Sequence, residues 1–236
     1  PGGVIWFEHC GEIYRKAYGN RAVEPAVEPM TEDTIFDAAS LTKVLACTPA
    51  VMLLVERGLV ELDAPVKKYL PEFPSDGENP VTIRHLLTHT SGLRPGISTK
   101  GDWQGVKGAL EQVALEKLQA QPGTVFRYSD INFITLGAVV ERVSGTPLQD
   151  FVKREIYQPL GMNDTGYLPS PDKAGRVAPT EVVDGKALRA VVHDPTARKM
   201  GGVAGHAGLF TTAADMARFA RMMLNLGELD GKRVFK

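Results

Sequence analysis

The chain has 236 residues, enough to bury a sizeable core, and its 27 basic and 28 acidic side chains leave a formal net charge of −1. That balance gives no electrostatic footprint for nucleic acid or an anionic membrane surface. No apolar run reaches the ~20 residues needed to span a bilayer; the stretch 44–55 is shorter and carries Pro49.

In chain order, residues 4–18 read as a β-hairpin, with VIWFEH and EIYRKAY joined across Cys10-Gly11. Helical periodicity then dominates, over 40–57, 82–89, 105–119, 131–143 with Gly145 beyond, and 147–157. Pro49 predicts a kink or local distortion inside the first of these. A polar segment at 169–199 reads as a long loop, of a kind that often serves function and here could roof a cleft. It leads to a helix over 212–226, which Thr212 and Asp215 open with a capping-box signature. The expected organisation is α+β: residues 1–38 and 201–236 are parts of a split α/β domain, and 39–200 form a mainly helical domain. No internal repeat or low-complexity segment is present.

Chemistry concentrates at Ser40-Leu41-Thr42-Lys43. Residues three apart share a helix face, so Lys43 can reach the Ser40 oxygen. A serine hydroxyl becomes a useful nucleophile only when a neighbour takes its proton, and a desolvated lysine is suited to that. The alternative is an exposed helix start with a serine cap. Two later stretches bear on the choice. Tyr128-Ser129-Asp130 sits at a loop-to-helix junction, where the tyrosine can point its phenol into a cleft. Residues 81–93 (VTIRHLLTHTSGL) read as a short helix ended by a glycine turn.

Together with LVELDAPVKKYLPEF at 59–73, QPLGMNDT at 158–165 and GGVAGHAGLFTTAADMARF at 201–219, these motifs resemble the serine β-lactamase and penicillin-binding protein superfamily. The likeness is to its class C-like branch, which includes D-alanyl-D-alanine peptidases and β-lactamase-like carboxylesterases. The resemblance implies a β-lactamase/transpeptidase-like fold, an antiparallel sheet flanked by helices plus a mainly helical domain. It implies that Ser40 is the acyl-accepting nucleophile, Lys43 its proton partner and Tyr128 the proton shuttle, with the Ser40 N–H as half of an oxyanion hole. Asp130, His206 and Gly208 are the candidate substrate-binding positions. No cofactor or metal is expected, and an extracytoplasmic or periplasmic location follows from the family alone, since no leader peptide is visible.

The sequence departs from that family in two places. Relatives carry a late Lys-Thr-Gly or His-Thr-Gly strand that supplies the second oxyanion donor, and the nearest match here is His206-Ala207-Gly208. That triplet lies upstream of the usual position and reads as a structural turn near the cleft. The resemblance therefore implies a chain incomplete at both ends, possessing one donor and nearly inactive alone, to be completed by a C-terminal segment. Where relatives often have asparagine, this chain has Asp130. Its carboxylate either pairs with Lys43, raising Tyr128 as the base, or caps the following helix. An ionised aspartate cannot donate to a substrate carbonyl, so small esters are the expected substrates. The alternatives are a β-lactam, a D-Ala-D-Ala peptide, or a non-catalytic binding or assembly role.

His85 and His89 have the spacing of a zinc pair but lack the glutamate of H-E-x-x-H, so they read as a structural pair bonding loop backbone near Ser91-Gly92. His193-Asp194 reads as loop scaffolding rather than part of a triad. Cys47 reads as a free buried thiol.

Overall fold

The computed structural model describes residues 1–74 and 79–236. Contacts divide the chain into a helical unit, residues 40–152 and 194–207, and a sheet unit, residues 1–39, 153–193 and 208–236. These limits differ from the expected ones. Residues 153–193 group with the sheet unit, and 201–207 with the helices.

The helical unit begins with a π turn, Lys43–Cys47, that runs into α1, Thr48–Glu56. Pro49 has no N–H to offer the carbonyl four residues back. The π turn absorbs this, its last bond running from the Thr48 N–H to the Lys43 oxygen, so the expected distortion falls just ahead of the proline. The helical run 39–56 is apolar enough by composition to cross a bilayer, yet most of it is buried inside the protein and it carries Lys43. Short helix α2, Ile83–Leu87, opens on Thr82, whose side chain accepts the His85 N–H. Helix α3, Gly105–Ala114, is shorter than its periodicity predicts.

Helix α4, Asp130–Ser144, is the centre of this unit. Ten consecutive residues, Ile131 through Val140, are buried, so this stretch is enclosed on every side, with Asn132 and Thr135 the polar residues among them. It packs against α1, α2, α3 and α5, Leu148–Val152. Gly145, at φ +65°, ends it in the left-handed conformation that costs glycine nothing. Helix α6, Pro195–Lys199, is capped by Asp194. The 204–206 segment lies against α4, and only glycine fits at 205. A Cβ there would sit 2.0 Å from the Phe133 carbonyl oxygen.

In the sheet unit all strand pairs are antiparallel. The predicted hairpin is present as β1, Gly2–His9, and β2, Glu12–Ala22, in register from Gly2 opposite Gly19 to His9 opposite Glu12, with β3, Glu28–Pro29, beyond β2. Both turn residues have positive φ, Cys10 at 49° and Gly11 at 84°, the twist a two-residue hairpin needs. A second sheet places β8, Leu209–Thr211, between β4, Phe36–Asp37, and β5, Gly166–Tyr167. The segment read as one long loop contains a 3-10 helix, Pro171–Arg176, and a small hairpin of β6, Val182–Val183, and β7, Lys186–Ala187, before α6. Helix α7, Ala213–Leu224, packs on β1 and on β9, Glu228–Leu229, which pairs with β10, Lys232–Arg233. Thr212 caps α7 through the Asp215 N–H. The Asp215 carboxylate completes no capping box and instead accepts from the Asp164 N–H and the Thr165 hydroxyl.

Candidate active site

Ser40 lies in a short 3-10 turn, Ala39–Leu41, and is exposed. Lys43 opens the π turn one helical step later and is 3 % exposed. The Lys43 Nζ donates to Ser40 Oγ at 3.1 Å, to Asp130 Oδ1 at 2.7 Å and to the His206 carbonyl oxygen at 3.1 Å. Three acceptors match the three donors of an ammonium. The buried charge is thereby compensated by one carboxylate and two neutral oxygens.

Asp130 is the first residue of α4, and Ser129, the N-cap, makes no side-chain cap. Of the two readings of Asp130, the ion pair with Lys43 is the one observed. Its backbone N–H donates to the Pro95 oxygen at 2.6 Å, and the Ser129 hydroxyl donates to the Arg94 oxygen at 2.6 Å, which ties the start of α4 to the 93–95 loop. Tyr128 stands just before, its ring centroid 4.7 Å from the Lys43 Nζ. Ser40, Lys43, Tyr128 and Asp130 thus share one site.

His206 and Gly208 fall in different units. The His206 side chain is buried, with Nε2 2.9 Å from Asp194 Oδ1, and it is the main-chain oxygen of His206 that meets Lys43. Its Nδ1 has no hydrogen-bond partner among the described residues. Gly208, at φ +112°, leads into β8 in the sheet unit. Asp194 both caps α6 and accepts from His206, so it is more than loop scaffolding. Burial opposes its charge, but His206 and the backbone donors at the start of α6 hold its carboxyl below the usual carboxylate range. The neighbouring His193 has other partners, its ring Nε2 lying 3.5 Å from a Glu181 carboxylate oxygen and its backbone N–H donating to Asp37.

Ligand-type atoms of Asp130, Asp194 and His206 all lie within 4.8 Å of one another, a spacing a cation could use. The Lys43 ammonium supplies positive charge at that place. His85 and His89 form no pair. His85 Nδ1 accepts the Thr82 N–H, while His89 bonds Ser129 rather than the loop at Ser91-Gly92. Cys47 is a free buried thiol next to the Phe133 oxygen, its pKa pushed far up by burial. Sequence reasoning missed the Asp194–His206 pair and the reach of His89. Asp194-Pro195 is a helix-start signal that could have found α6, but nothing local marks the partners across the fold.

The sequence profile of the Beta-lactamase family matches residues 1–234. An Escherichia coli K12 protein with the provisional name D-alanyl-D-alanine carboxypeptidase is 34 % identical over 260 residues, covering 94 % of this chain and 59 % of its own. Esterase EstB of Burkholderia gladioli is 38 % identical over 257 residues, covering 92 % of this chain and 64 % of its own. The chain therefore spans about six-tenths of the length of these curated relatives. The class C β-lactamase of Rhodobacter sphaeroides superposes with a TM-score of 0.79 at 26 % identity, over 98 % of this chain and 63 % of the other.

Proposed function

The chain belongs to the Beta-lactamase family and has its α+β fold, and from that footing we propose that the whole protein is a serine hydrolase working through an acyl-enzyme on Ser40. The observation that carries this reading is the Lys43 ammonium, buried and donating to Ser40 Oγ while fixed by Asp130 and the His206 oxygen. With its own N–H groups directed at acceptors, Lys43 orients the serine oxygen as an electrostatic anchor. The serine proton passes to the Tyr128 oxygen, the general base of this step, as Oγ forms its bond to the acyl carbon. Tyr128 then returns that proton to the leaving alcohol, and water releases the acyl group by the same route in reverse. The Ser40 N–H contributes to holding the oxyanion.

Small esters are the substrates this site suits best. The Asp130 carboxylate only accepts hydrogen bonds and is bound to Lys43, so no amide donor greets an acylamino carbonyl at that position. The second reading, a D-Ala-D-Ala peptide or β-lactam substrate, draws on the carboxypeptidase name of the 34 % identical relative. Labelling of the full-length protein with a fluorophosphonate, followed by peptide mass spectrometry, places the adduct on Ser40, and label surviving in Ser40→Ala would overturn the assignment. Comparing kcat/KM for p-nitrophenyl butyrate, nitrocefin and a D-Ala-D-Ala peptide decides the substrate class. A nitrocefin value well above the ester value refutes the ester reading.

A further inference from the structure

His89 has no part in the chemistry described above, yet it is bonded to both chain neighbours of Tyr128 and lies against the Tyr128 ring. Its carbonyl oxygen accepts the Arg127 N–H at 2.8 Å, and its Nδ1 accepts the Ser129 N–H at 3.1 Å. The residues on either side of Tyr128 are therefore both bonded to His89. The imidazole also lies against the Tyr128 ring, with centroids 4.5 Å apart and planes at 35°. Tyr128 is 44 % exposed, so general packing does little to fix it. From this geometry we infer that His89 is the positioning residue of Tyr128, holding the phenol where it exchanges a proton with Ser40; the inference rests on the role given to Tyr128 above.

The imidazole is itself held. Phe133 and Phe126 flank it at 5.2 and 6.0 Å. Asn132 Nδ2 is a second donor to Nδ1 at 3.2 Å, and the Ser91 hydroxyl, donating to Asn132 Oδ1 at 2.6 Å, fixes which way that amide faces. A ring nitrogen that receives two N–H donors carries no proton, so His89 is neutral with its proton on Nε2. Burial and then the Lys43 charge push its pKa below the ordinary histidine value, with Asp130 pulling the other way. His89 also has a left-handed backbone, φ +57°, which asparagine tolerates better than most residues.

Two variants separate the acceptor from the ring. His89→Asn keeps an acceptor near the Nδ1 position and suits the backbone; His89→Phe keeps only the ring. In the full-length protein with p-nitrophenyl butyrate, His89→Phe is expected to lower kcat by roughly 100-fold with KM little changed, because a displacement of about 1 Å costs that much. His89→Asn is expected to recover part of the loss. In a Tyr128→Phe background, His89→Phe should cause no further fall, which a merely structural histidine would not reproduce. A kcat within about twofold of wild type for His89→Phe, beside a large loss for Tyr128→Phe, overturns this inference alone. An unaffected Tyr128→Phe enzyme overturns the role of Tyr128 instead. The nitrogen NMR spectrum of the wild-type protein needs no variant, and protonated Nδ1 at neutral pH would refute the hold on Ser129.

Discussion

Asp130→Ala removes the only carboxylate hydrogen-bonded to Lys43 among the described residues and leaves its ammonium, 3 % exposed, facing two neutral oxygens. At the observed 2.7 Å separation the attraction amounts to about 6 kcal/mol at an effective dielectric of about 20. Desolvation of both ions offsets much of that, and breaking one side of a buried pair typically costs ~3–5 kcal/mol. The Asp130 side chain is 33 % exposed, so water reaches it and the expected loss is near the lower end, about 3 kcal/mol. Asp130→Asn keeps an oxygen in place and should lose about half as much. Urea unfolding of the full-length protein measures these losses, provided the denaturant slope is unchanged. In a Lys43→Met background the ammonium that Asp130 compensates is gone, and Asp130→Ala should then cost no more than ~0.5 kcal/mol. Equal losses in the two backgrounds, or an Asp130→Ala protein as stable as wild type, would refute the argument that this ion pair keeps Lys43 charged and in position.

Gly205→Ala should destabilise by ~3 kcal/mol or more, since its Cβ would meet the Phe133 carbonyl oxygen at 2.0 Å and backbone must move; thermal unfolding reads this directly. Asp194→Ala strips the cap from α6 and the partner from buried His206, and a loss of about 2–3 kcal/mol by urea unfolding is expected, with Asp194→Asn retaining part of it. The Arg176 hydrogen bond, aided by Lys173 and opposed by burial, holds the Asp164 carboxyl below the usual range. That contribution is complete above the unfolded aspartate value of about 4 and is lost as pH falls through the lower folded value. Wild type should therefore lose more stability than Arg176→Ala on acidification through this window, and parallel curves would contradict the assignment.

Much of the local structure was legible in the sequence, because local structure is decided by neighbours within four or five positions. The Cys10-Gly11 turn set the hairpin register, Thr82 and Thr212 marked helix starts, Gly145 marked a stop, and the spacing of Ser40 and Lys43 brought hydroxyl to amine by helical geometry alone. The substitution of aspartate at 130 was likewise visible, but only as a choice between cap and ion pair. Tertiary structure made that choice. The acceptors that complete the Lys43 site come from 87 and 163 residues away, and His89 meets Ser129 across 40 residues. No periodicity encodes such partners. They meet because α4 is buried on all sides and Gly205 lets a distant segment lie against its backbone, so one packing arrangement carries the His206 oxygen and the Asp130 carboxylate to the same ammonium.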